Sequence, residues 1–290
     1  MIKGNSNIYI YPKFDSFLDI GIRIGGFGLA NCLFVYSRAI ILEKKYGYKL
    51  INPTWERLGI GQYLRKEKDK RNYFGLFKPD GVTGLKKYFL ILFGKKIDLK
   101  KELKKKCILP QLIVVEGLSD YFIPLLPYQK FLRNRILNIA KSKSTITKDN
   151  NYIGIHIRLG DYSQDRRTSL DWYKKQILRI KKIAQNKAEF LLFSDGSDIE
   201  LQSILEIDGV KKCFAGNALA DILTLSNCSF IIGSDSTFSG WAVFLGQKPA
   251  IFQKKHFGRI LIEQDKEQII SDEDDLPTNM IKYLENIFNE

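Results

Sequence analysis

The chain has 290 residues, 44% of them hydrophobic and 27% charged, with a formal net charge of +14 at neutral pH. That length can bury a full core in one or two domains, and the balance is that of a soluble globular protein, which excludes disordered and fibrous classes. No run approaches the ~20 apolar residues of a membrane-spanning helix, and Cys32, Cys107, Cys213 and Cys228 lack the spacing of a zinc site or disulfide framework, so a reducing cytoplasm fits.

The opening residues carry no signal-peptide apolar core and read as a first strand, Ile8 to Tyr11. A glycine-rich turn, Gly21 to Gly28, leads into a helix from Leu29 to Tyr46 with apolar residues at helical spacing, and Gly47 stops it. Strand, glycine turn and helix can bring backbone amides close to a ligand, so Gly26 and Gly28 are candidates for a site. Asn31 joins them, although an asparagine at a helix start also serves its own backbone.

Tyr48 to Asn52 reads as a short strand ended by Pro53. Positive charge then concentrates in Arg65 to Arg71 and in Lys86 to Lys106, where lysines flank the apolar run Tyr88 to Phe93. A solvated helical face, an anionic membrane surface and a nucleic acid are all open as partners of this charge. No nucleic-acid-binding motif accompanies it. Leu112 to Val115 reads as a buried strand, Tyr128 to Ser142 as a helix, and the polar stretch Ser142 to Asn151 as a linker.

Beyond the linker the pattern becomes regular. Strands are expected over 152–157, 189–193, 210–214, 229–232 and 249–252, with helices over 169–185, 197–206, 217–227 and 237–246 between them. Alternation at this spacing builds a parallel sheet with helices on its faces. The fold class is therefore α/β, with an N-terminal domain over 1–145, a Rossmann-like domain over 150–270 and a C-terminal helix over 271–290.

The first of these strands ends in a cluster of polar groups. His156 and Arg158 share a strand face, Gly160 lets the chain turn, and Asp161 follows. Open α/β sheets place ligands at the carboxyl ends of their strands, and an arginine there suits a phosphate because its donor fork binds two oxygens together. The plain alternative is an Arg158–Asp161 pair at a loop and a satisfied core histidine at 156. Asp195 and Asp198 follow the next strand, but their spacing is that of a turn and helix cap, not of a metal-binding Asp-x-Asp. Further on, Ser234, Ser236, Thr237 and Ser239 crowd a turn that opens a helix around Phe238, where hydroxyls and unpaired amides favour an anion.

Three of these segments resemble those of a known family. His156-Ile-Arg158-Leu159-Gly160-Asp161 resembles the His-x-Arg-Arg-x-Asp motif of transferases that use GDP-fucose, particularly bacterial α-1,2-fucosyltransferases of glycosyltransferase family 11, with Leu159 where a second arginine is usual. The segment from Gly28 through Asn31 to Tyr36 is similar to the family's Gly-Leu-Gly-Asn segment, with Ala30 for the second glycine. Ser234 to Trp241 resembles its Ser-x-Ser-[Ser/Thr]-Phe-Ser-Trp-Trp, with Gly240 for the first tryptophan.

The resemblance implies a GT-B-like fold, two Rossmann-like domains with a cleft between them, and inverting transfer from a GDP-sugar without metal or other cofactor. It places Gly26, Gly28 and Asn31 at the cleft on the acceptor side. His156 and Asp221 would hold guanine, whose N1–H and N2–H both suit a carboxylate. Arg158 and the 234–239 hydroxyls would hold the diphosphate, and Asp161 would orient Arg158. Asp165 is a candidate general base, with Asp15 and Asp19 behind it. The acceptor would be a glycan or lipid-linked oligosaccharide at the inner membrane face, in bacterial surface-polysaccharide synthesis. A transferase for another nucleotide sugar and a basic nucleic-acid-binding protein are the alternatives.

Overall fold

The computed structural model describes residues 7–16, 18–59, 71–98, 110–147, 151–160 and 162–289. The chain forms two compact units: Met1–Tyr121 with Pro127–Ser142, and Phe122–Leu126 with Lys143–Glu290.

In the first unit, strand β1 (Ile8–Pro12) leads through β2 (Leu18–Ile20) and β3 (Ile22–Ile24) into helix α1 (Leu29–Tyr46). The helix begins after Gly28 and ends where Gly47 takes a left-handed conformation (φ 68°) and donates its N–H to Glu43 O. Lys44 and Lys45 sit in its last turn, where the helix dipole favours cations. Then come β4 (Lys49–Leu50), β5 (Arg57–Leu58), α2 (Gly84–Phe93), β6 (Lys95–Lys96), β7 (Gln111–Val115) and, after a 3-10 turn, α3 (Gln129–Ile139). Strands β4-β1-β7-β6 form a parallel sheet in that order. A small sheet, β2-β3-β5, takes its central strand β3 from the stretch that reads from sequence as a glycine turn. Its strands of two and three residues lack the run of alternating apolar residues that marks a strand.

The second unit contains β8 (Ile153–Ile157), α4 (Leu170–Ile183), β9 (Phe190–Ser194), α5 (Gln202–Leu205), β10 (Val210–Lys212), α6 (Ala218–Leu225), β11 (Phe230–Gly233), α7 (Thr237–Gly246), β12 (Ala250–Phe252), β13 (Glu267–Ile269) and α8 (Thr278–Asn289). The strands pair in the order β10-β9-β8-β11-β12-β13, all parallel. Strand β8 is buried along its whole length, as a strand covered on both faces must be. Ser169 caps α4 by accepting the Trp172 N–H, and Trp172, Tyr173, Ile177 and Ile180 of that helix are buried in the core. Met280, Leu284 and Phe288, one turn apart on α8, complete the same core. Each such side chain contributes about 1.5–3 kcal/mol on burial.

The connectivity creates a switch point in the second unit. From β8 the chain moves outward to β9 and β10, returns to β11 on the other side of β8, and moves outward again to β12 and β13. Strand order therefore reverses between β8 and β11. At such a switch point the loops diverge and leave a crevice at the carboxyl ends of the strands.

Candidate active site

The residues at that switch point form one hydrogen-bonded cluster. His156 is the penultimate residue of β8, and its imidazole is buried. Its Nδ1 lies 2.6 Å from Ser239 Oγ and 2.8 Å from Ser234 Oγ. The ring stacks on Phe238, with centroids 4.6 Å apart and planes 21° from parallel. Ser239 Oγ also accepts the Ser234 N–H at 3.1 Å, so its own hydrogen can go to Nδ1. Ser236 caps α7 by accepting the Phe238 N–H at 3.3 Å, and Thr237 is the first residue of that helix. The structure thus brings His156, Ser234, Phe238 and Ser239 into direct contact.

Burial pushes the His156 pKa down to about 3; Asp195 opposes the fall and Arg158 adds to it. An unfolded histidine titrates near ~6.5, so between these values the unfolded chain binds more protons than the folded one. Stability then falls as pH drops from 6.5 toward 3, by about 1.4 kcal/mol per unit for this group alone. Over that window the urea midpoint of the protein should fall more steeply than that of His156→Gln. Parallel slopes would mean that the buried imidazole accepts a proton as easily as an exposed one.

Arg158 leaves the end of β8 and meets a carboxylate that the sequence reading treated as a turn residue. Its Nη1 lies 2.7 Å from Asp195 Oδ2, with both side chains mostly buried. Asp195 follows β9, the neighbour of β8, and its Oδ1 accepts the Leu159 N–H at 2.9 Å. Gly160 is required by this pairing, because a Cβ there would stand 2.2 Å from Asp195 Oδ2. Asp161, expected to orient Arg158, lies outside the described residues. The sequence signal for Asp195 was its position directly after a strand adjacent to β8, which only the sheet order makes visible. Asp198, the other carboxylate of that turn, pairs with Lys212.

Two further groups border the cluster. The Arg158 and Arg166 guanidiniums lie 5.3 and 4.6 Å from the Tyr162 ring centroid. Asp235, between Ser234 and Ser236, accepts from the His256 backbone N–H at 2.8 Å and lies 2.6 Å from its Nδ1. Burial raises the Asp235 pKa, but the contacts with His256 outweigh it and hold the carboxyl below its ordinary range. Neither Asp235 nor His256 was singled out from sequence. Asp165 lies on the exposed 3-10 turn Gln164–Arg166, and a hydrogen bond from Ser163 holds its carboxyl below the usual range. Asp221 sits in the first turn of α6, where its Oδ1 accepts the Ala215 N–H at 2.6 Å.

Gly26, Gly28 and Asn31 belong to the other unit. Gly26 has a φ of 77°, and a Cβ on it would stand 1.5 Å from Asp15 O, so the turn admits only glycine. Gly28 precedes α1, and Asn31 is in its first turn. Sequence reading missed the residue that organises this turn. Arg23 is fully buried, with Nε 2.8 Å from Thr54 O and its other nitrogens reaching Phe27 O and Trp55 O. Two of these partners, Thr54 and Trp55, are some thirty residues away, so no local pattern announces it.

Two of the three departures from the family motifs, Leu159 and Gly240, have a packing reason. Leu159 is 5% exposed and part of the hydrophobic core, with the turn after Asp195 closing over its side chain. At Gly240 a Cβ would come within 2.6 Å of the Phe122 ring, which packs on Trp241, Phe244 and Phe257 and takes up the room a larger residue would need.

A buried polar cluster at the switch point of a parallel sheet, with an oriented arginine and a hydroxyl-lined helix start, is an arrangement that suits an anionic ligand. The chain is a glycosyltransferase: residues 125–255, which hold this cluster, match the family model of Glycosyl transferase family 11. The O-antigen biosynthesis glycosyltransferase WbnK of Escherichia coli is 22% identical over 267 residues, covering 75% of this chain and 87% of that protein. Among solved structures, the fucosyltransferase NodZ from Bradyrhizobium shares 12% identity over 81% of this chain and 92% of that one, with a TM-score of 0.45. POFUT1 in complex with GDP shares 10% over 89% and 99%, with a TM-score of 0.48.

Proposed function

We propose that the protein transfers fucose from GDP-fucose to a hydroxyl of a glycan, with inversion at the anomeric carbon. The observation that carries this reading is the pairing of Arg158 with Asp195 beside the Ser234–Ser239 turn, within the stretch that matches family 11. In this reading the second unit binds the donor and the first receives the acceptor. The acceptor is a glycan or lipid-linked oligosaccharide at the inner face of the membrane, and the likeness to an O-antigen glycosyltransferase supports a place in surface-polysaccharide synthesis.

The chemistry follows from where charge develops. The bond from the sugar's anomeric carbon to the β-phosphate oxygen breaks through an oxocarbenium-like state, and its electron pair stays on GDP. Arg158 and the amides and hydroxyls at the start of α7 receive that charge, in fixed positions that need no reorganisation. The acceptor oxygen bonds to the opposite face of the sugar and gives up its proton, for which Asp165 is the carboxylate next to the motif. Its depressed pKa keeps it ionised at neutral pH and makes it a weak base. Asp221 and His156 recognise guanine. A carboxylate suits guanine because it can accept both N1–H and N2–H, and the Asp221 carboxylate is positioned through the Ala215 N–H.

Calorimetric titration with GDP, UDP and ADP, without added metal, tests the reading. Selective GDP binding is expected, and Asp221→Ala should narrow its margin over ADP. Equal affinity for the three nucleotides would sink it.

A further inference from the structure

Helix α2 of the first unit presents apolar side chains on two opposite faces. Inward, Lys87 and Leu90 are buried and Ile91 packs with the core of Tyr9, Tyr11, Ile51 and Leu112; the Lys87 ammonium is held 2.9 Å from Thr54 Oγ1. Outward, Leu85 is 89% exposed, Leu92 70%, Phe93 64% and Phe89 53%. With ~100° per residue these four fall within one arc about 100° wide, diametrically opposite the buried face. Phe89 and Phe93 touch, with ring centroids 5.2 Å apart, so the outer surface is one continuous stripe. Single exposed leucines are ordinary, but four large apolar residues on one side of one short helix are not.

We propose that this stripe is a docking surface for an anionic phospholipid bilayer. Charge complementarity selects that occupant. Residues 83–98 hold Lys86, Lys87, Lys95 and Lys96 against a single carboxylate, Asp98; Lys86 is exposed on the helix next to the apolar arc, and Lys95 and Lys96 are exposed just after the helix ends. An apolar face bordered by lysines is what an interfacial helix needs: the side chains enter the boundary between headgroups and acyl chains while the ammonium groups meet lipid phosphates. A second copy of the chain would instead bring like charges together around the same patch. The geometry also fixes the mode of binding. Ten residues make a helix about 15 Å long, half the ~30 Å hydrocarbon thickness. Among the described residues no helix is long and apolar enough to cross a membrane. The helix therefore lies in the membrane surface.

The test uses the full chain and vesicles of phosphatidylcholine with and without phosphatidylglycerol. Sedimentation with the phosphatidylglycerol vesicles is expected, with little on phosphatidylcholine alone. Each of Leu85→Ser, Leu92→Ser and Phe93→Ser should weaken it roughly tenfold, the worth of one apolar side chain removed from water. Lys95→Glu with Lys96→Glu should weaken it as well and reduce its salt sensitivity. GDP titration on the same variants should be unchanged, which separates loss of docking from loss of the fold or of the donor site. Three results would overturn the proposal: no sedimentation of the wild type, serine variants that sediment like wild type, or a concentration-dependent dimer in ultracentrifugation that Leu85→Ser dissolves.

Discussion

Arg158→Ala is expected to lower turnover by about 10²–10³, the usual cost of removing a fixed donor aimed at developing charge. The expectation rests on how tightly the guanidinium is placed. It springs from the end of a buried strand and is held 2.7 Å from Asp195 Oδ2, and the same carboxylate fixes the backbone beyond it through the Leu159 N–H. A guanidinium carries five N–H donors in a planar fork, the geometry that suits a diphosphate. Arg158→Lys should restore little, because an ammonium cannot bind two oxygens in a plane while keeping its contact with Asp195. Asp195→Asn separates position from charge. It keeps the size of the side chain and an acceptor for the Leu159 N–H, yet loosens the arginine, so it should lower kcat with a smaller change in KM. Initial rates of donor hydrolysis measure all three. Unchanged turnover in Arg158→Ala would move the stabilisation of the leaving group elsewhere.

Sequence reading reached the elements whose information is local. Helix α1 is delimited by Gly28 and Gly47, and the parallel strands of the second unit are apolar runs between turn residues. It failed where a fold-specific partner replaces a local signal. Strand β13 begins with Glu267, which reads as surface but is buried, with Lys255 Nζ at 2.7 Å and the N–H groups of Ile260 and Leu261 on its carboxylate. The helix expected over 197–206 shrinks to Gln202–Leu205, and the capping pair Ser197 and Glu200, which bond each other's backbone N–H, lies one turn ahead of it. The polar cluster divides the same way. His156 and the serines near 236 stand out as residue types unusual in their stretches. The Arg158–Asp195 pair does not, since it joins the ends of two strands that become neighbours only when the sheet forms.

Leu159→Arg, which restores the residue usual in the family motif, is expected to destabilise the protein by about 3–5 kcal/mol, the scale set by an unpaired buried charge. A motif comparison alone predicts the opposite, a gain of one more donor for phosphate. The packing decides between them. Leu159 is 5% exposed and belongs to the core that includes Ile157, Trp172 and Leu192. Its Cδ1 lies 2.6 Å from where a Cβ on Gly196 would stand, so the Asp195 turn closes directly over the side chain. An arginine has two escapes, and both are costly. Staying inside strands its charge without a carboxylate, since Asp195 is already engaged by Arg158. Swinging outward pulls the Leu159 N–H off Asp195 and releases the loop that places Arg158. Chemical denaturation should show a lower midpoint for Leu159→Arg, and Leu159→Met should stay close to wild type because it conserves volume and polarity. If Leu159→Arg instead kept its stability and bound GDP more tightly, the loop would have an outward conformation of similar energy. The leucine would then be a choice about the donor rather than a demand of the core.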